Sequence, residues 1–124
     1  MRPQFLAFLL AVSPVSALAH EVAKGPNGGP VVDSAGHHVE MVVKGTDLVL
    51  FLTEDADKPL ASAGTKNARA IVQDGGKTAT VALQAAEPNS LVGTLTQPLG
   101  KGARVVVSAT MADGHAVQAR FVNN

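Results

Sequence analysis

From residue 37 onward, short runs rich in β-branched and long apolar side chains alternate with turn-forming clusters. "HHVEMVV" (37–43) and "DLVLFLT" (47–53) flank Lys44-Gly45-Thr46 and read as a hairpin. An acidic turn, "EDADKP" (54–59), follows. "NARAIVQ" (67–73) and "TATVALQ" (78–84) then flank "DGGK", and a loop over 85–90 leads to a weaker strand, "LVGTLT" (91–96). "ARVVVSATM" (103–111) and "HAVQARFV" (115–122) flank "ADG" at the end of the chain. No window of helix length keeps a 3.6-residue apolar period. Seven or eight short strands joined by Gly- and Asp-rich turns predict an all-β chain. The expected architecture is a single β-sandwich, Ig-like or cupredoxin-like, with a small barrel as the competing arrangement.

The last hairpin fixes its own register. A two-residue loop, Asp113-Gly114, would mix Ser108 and Thr110 with Val117 and Ala119 on one face. A three-residue loop, Ala112 to Gly114, pairs Met111 with His115, Ala109 with Val117, Val107 with Ala119 and Val105 with Phe121. The apolar side chains of those pairs then share one face, with Arg104, Ser108, Thr110, Gln118 and Arg120 on the other, and Gly114 takes the left-handed position such loops need. The three-residue loop is the expectation. It sets Met111 and His115 opposite one another at the end of the core.

The first nineteen residues differ from the rest. Arg2, an apolar run from Phe5 to Val12, Pro14 and the small-residue triplet Ala17-Leu18-Ala19 follow the order of a secretory signal peptide, and the run is too short to span a bilayer. The expectation is a cleaved segment over 1–19 and one exported, periplasmic domain over 20–124. Cleavage there would give His20 a free α-amine beside its imidazole. The chain has no cysteine, so neither disulfides nor thiolate ligands are available, and a lipoprotein reading is excluded. Losing Arg2 leaves nine basic and ten acidic residues, with both signs scattered and few aromatics. That balance predicts neither nucleic-acid binding nor membrane insertion.

Histidine is the chemistry that remains. There are four, His20, His37, His38 and His115. Imidazole with carboxylate and amine nitrogen suits copper or zinc, and an α-amine gives up its proton far more readily than a lysine. Strand alternation puts His37 on the face of Val39, Met41 and Val43, and His38 with Glu40 on the other. Two arrangements follow. His38 and Glu40 grip an ion from one surface, or His37 converges with His115 and Met111 across the sandwich. A methionine at position 111 is more often core filling than ligand. "GPNGG" (25–29) lacks a following Lys-Ser/Thr pair, so it reads as a flexible turn, giving His20 the slack to fold back, rather than a phosphate cradle. Ser34 and Ser62 have no nucleophile–base motif around them, and catalysis is not expected.

Residues 20–59, with the early histidine, Gly28-Gly29, the segment His37-His38-Val39-Glu40 and the Asp55 to Pro59 turn, resemble small periplasmic proteins associated with heavy-metal efflux and the related domains of efflux adaptors. That resemblance implies a β-rich fold, traffic in copper, zinc or related ions, and an efflux adaptor as partner. "SATMADGHAVQARF" (108–121) is similar to the final hairpin of periplasmic copper carriers of the CopC type. There a mature N-terminal histidine joins an Asp-x-His at a Cu(II) site, and the matching positions are His20, Asp113 and His115. The methionine-rich stretch of a Cu(I) site is missing, which makes Cu(II), or Zn(II), the expected ion. The functional expectation is a periplasmic metal carrier or buffer in metal resistance; the alternative is a non-catalytic Ig-like structural or protein-interaction module without a metal site.

Overall fold

The computed structural model of the protein describes residues 23–55 and 58–124. The expected signal segment 1–19 and His20 lie outside the described residues. Nine strands run through the described chain: β1 (Val31–Ser34), β2 (His37–Lys44), β3 (Asp47–Thr53), β4 (Lys66–Asp74), β5 (Lys77–Ala82), β6 (Gln84–Ala86), β7 (Ser90–Thr94), β8 (Arg104–Thr110) and β9 (Ala116–Val122). They form two sheets, one ordered β1-β2-β3-β7-β6 and the other β5-β4-β8-β9, with antiparallel pairing throughout. The architecture is a two-sheet β-sandwich.

Two of the nine strands, β1 and β6, are additional to the seven runs read in the sequence, for separate reasons. Four-residue β1 follows Pro30 and pairs with the start of β2 through Val31↔Glu40 to Ser34↔His37. The expected strand over 78–84 is two strands in different sheets. The chain leaves the four-stranded sheet after Ala82, and β6 then pairs with β7 in the other sheet.

Strand alternation builds the core. Val39, Leu48, Leu50, Leu52 and Leu91 of the larger sheet meet Val105, Val107 and Val117 of the smaller one, all fully buried. Burying a Val or Leu side chain stabilises by about 1.5–3 kcal/mol, so these positions dominate the drive to fold. The final hairpin has the expected register: Val105↔Phe121, Val107↔Ala119 and Ala109↔Val117 face each other, and the Met111 amide donates to the His115 carbonyl at 2.8 Å. Gly114 takes φ +93° to close that loop.

Candidate functional site

The three described histidines lie at one end of the sandwich, where the start of β2 meets the loop between β8 and β9. His37 comes from the larger sheet and His115 from the residue preceding β9 in the smaller one. Their rings meet edge to face, with centroids 5.9 Å apart and planes at 72°. The two sheets thus present one imidazole each to a shared point. Nδ1 of His37 is buried and has no hydrogen-bond partner among the described residues.

His115 is held by its own loop. Asp113 Oδ1 accepts from the His115 backbone N–H at 3.0 Å, and Asp113 Oδ2 lies 2.7 Å from His115 Nδ1. An ionised carboxylate only accepts, so Nδ1 carries the proton in this contact and Nε2 of the neutral ring keeps a free lone pair. This is the carboxylate–imidazole arrangement that orients metal-binding histidines. The same two bonds, the backbone one first, hold the Asp113 carboxyl below its ordinary value of 3.8.

The other candidates separate. His38 is on the outer face of the larger sheet, hydrogen-bonded through Nδ1 to Asp33, with Nε2 3.7 Å from Asp55 Oδ1. Glu40 shares that face yet is buried, at 4% exposure, because the 25–29 loop folds over it. Its Oε2 accepts from the backbone amides of Asn27 at 2.9 Å and Gly29 at 2.8 Å, and its Oε1 accepts from the Asn27 side-chain amide at 3.1 Å. His38 and Glu40, expected to grip an ion together, have separate partners here: Glu40 the 25–29 loop and His38 two aspartates. The "GPNGG" segment is a turn ahead of β1, as expected, and the bonds to Glu40 tie it to β2. The loop is closed by Gly25 N–H to Gly29 O at 2.8 Å, and a Cβ on Gly25 would overlap the Glu40 carboxylate.

Met111 is buried in the core, its sulfur 4.0 Å from the Thr65 hydroxyl. Of the expected convergence of His37, His115 and Met111, the two imidazole rings are in contact, and Met111 lies opposite His115 in the hairpin with its side chain in the core. His20 lies outside the described residues. Among the described residues, no three His, Asp or Glu side chains are grouped so as to hold one metal ion.

Sequence reasoning placed Arg104 and Arg120 on one face of the last hairpin but missed the constellation that Arg69 completes. Arg69, Arg104 and Arg120, the arginines that remain beyond Arg2, all occupy outward positions of the four-stranded sheet. No outward position of β4, β5, β8 or β9 carries a carboxylate. The fold thus leaves this one face with cations and no carboxylate, although both signs are scattered along the sequence.

No family model and no curated protein matches the chain. Among solved structures it is similar to the archaellum periplasmic stator protein FlaG from Sulfolobus acidocaldarius, at 10% identity over 73% of this chain and 95% of that one, with a TM-score of 0.39. A likeness at that level bears on neither activity nor partner.

Proposed function

We propose that this chain is a non-catalytic, periplasmic β-sandwich module that works by binding a partner protein. The observation that supports this reading is the use to which the fold puts its reactive side chains. Glu40 holds a loop, Asp74 accepts from the Gly100 amide, Asp33 and Asp55 flank His38, and the fully buried Ser62 donates to the Ala86 carbonyl at 2.7 Å. The strand order supports the Ig-like assignment over the cupredoxin-like one. Strands β2-β3-β7-β6 against β5-β4-β8-β9 follow A-B-E-D against C′-C-F-G, with β1 added at one edge.

A second reading, a Cu(II) or Zn(II) carrier or buffer, is favoured by one specific observation, the meeting of His37 and His115. The two imidazoles fit either ion as two of about four ligands, with Asp113 orienting His115 rather than binding directly. The amine and imidazole of His20 are the candidates for the remainder, and an efflux adaptor is the partner that the resemblance of residues 20–59 implies.

Thermal unfolding of the chain beginning at His20, with Cu(II) or Zn(II) and with chelator, separates the readings. The interaction module keeps one melting temperature under all conditions. A carrier at a hundredfold excess of ion over Kd gains about 2.7 kcal/mol, and His37→Ala or His115→Ala abolishes that gain. The second pattern overturns the first reading.

A further inference from the structure

We propose that the outer face of the four-stranded sheet is the docking surface, and that it receives a protein surface presenting an apolar side chain ringed by carboxylates. The inference rests on the reading of the chain as a binding module and names the chemistry of its partner.

The strand register builds this face. Ile71 of β4, Val106 of β8 and Arg120 of β9 lie in one row, through the pairings Ile71↔Val106 and Val106↔Arg120. Ile71 and Val106 are half-buried, an apolar centre that remains open to contact. Arg69 is two residues from Ile71 along β4 and Arg104 two from Val106 along β8, so both stand on the same face beside that centre. Arg104 and Arg120 are diagonal neighbours, about 7–8 Å apart at the backbone. Three exposed arginines therefore border the half-buried Ile71–Val106 centre, and the exposed Val122, paired with Arg104, stands on the same face at its edge. Lys66 adds a fourth cation at the end of β4, opposite Thr110.

These cations are uncommitted. The ion pairs among the described residues join only His38 and His115 to aspartates. Arg69 makes one weak contact, to the Asn67 carbonyl at 3.5 Å. Guanidinium groups match carboxylates with a planar fork and lose less hydration than ammonium groups on doing so. An apolar centre with a polar, Arg-bearing rim is the anatomy of a protein interface. A nucleic acid is the poorer match, because no aromatic ring lies on the face for bases to stack on. An anionic membrane gains only about 1 kcal/mol per cation, and Val122, the one large exposed aliphatic side chain among the described residues, is a small wedge for a bilayer.

The test titrates isotope-labelled protein with a short synthetic peptide of glutamates around a leucine pair and follows the backbone amide resonances. The largest shifts are expected at Arg69, Ile71, Arg104, Val106 and Arg120. Replacing the three arginines together by glutamine, at exposed positions that leave the apo spectrum folded, should weaken binding tenfold or more. Ile71→Thr with Val106→Thr should weaken it several-fold while leaving its salt dependence unchanged. No shift at millimolar peptide, shifts centred on another face, or unchanged affinity in the triple-glutamine variant would each overturn the proposal. Duplex DNA and phosphatidylglycerol vesicles are run in parallel; tighter binding of either at this face, lost in the same variant, also overturns it. Peptide binding at another face leaves the module reading standing, whereas metal-dependent stabilisation overturns that reading without moving the peptide shifts.

Discussion

The backbone amide of Gly29 donates to Glu40 Oε2 at 2.8 Å, which ties the loop before β1 to the middle of β2. Asn27 contributes two further donors, so three N–H groups converge on one buried carboxylate. Hydrogen bonds to a charged group are each worth about 1.5–3 kcal/mol, and removing their acceptor leaves the donors stranded. Glu40→Ala should destabilise the protein by about 2–4 kcal/mol in urea unfolding. Glu40→Gln, which keeps one acceptor oxygen, should lose less. Equal stability of Glu40→Ala and the wild type would show that the loop does not depend on this carboxylate.

Gly114 offers a test confined to one backbone torsion. Its φ of +93° closes the three-residue loop, and a Cβ there would have open space around it. Gly114→Ala therefore meets no neighbouring atom and feels only the left-handed conformation, a penalty of about 1–2 kcal/mol. A drop in denaturant midpoint with unchanged slope is the expected result. No drop would mean that the loop adopts another turn.

The contrast between Gly114 and Glu40 shows what was legible in the sequence. In the last hairpin the apolar pattern, the turn residues and the glycine all act within a few positions of each other, so the register of β8 and β9 could be read directly. Glu40 lies on the outward face by alternation, as expected, yet is buried by a loop 11 to 13 residues away that makes no periodic signal. The arginine face has this origin in part. Arg104 and Arg120 share the outer face of the last hairpin, which its register makes readable, but Arg69 sits on β4, far away in sequence, and only sheet order brings it beside them. The division of residues 78–86 between β5 and β6 likewise depends on which sheet each half joins, and local alternation is the same in both.

Asp113 predicts how this end of the sandwich responds to acid. Its two bonds from His115 lower its folded-state pKa below 3.8. A depressed carboxylate stabilises the fold above its unfolded pKa and loses that contribution as pH falls through the folded value. The difference in melting temperature between the wild type and Asp113→Asn should therefore be constant from neutral pH down to about 4, then close on further acidification. The group is exposed, so the difference itself should be small and should shrink with salt. A gap that widens in acid would reverse the assigned direction.

His37 carries the last prediction, because its buried Nδ1 is left without a partner among the described residues while the ring packs edge to face on His115. A buried polar atom without a hydrogen bond opposes folding by about 1–3 kcal/mol, whereas the aromatic contact favours it by about 0.5–1.5 kcal/mol. His37→Phe retains the ring and removes the polar atom, so its unfolding free energy should equal or exceed that of the wild type. His37→Ala removes both and leaves a gap at the edge of the core, so it should be less stable by about 1–3 kcal/mol. Measured together in one denaturant series, the two variants separate the contribution of ring shape from that of ring nitrogen. If His37→Phe is as damaging as His37→Ala, the nitrogen makes a stabilising bond in solution. Repeating the series in the chain beginning at His20 and in a chain beginning at Ala23 then shows whether that bond comes from residues 20–22.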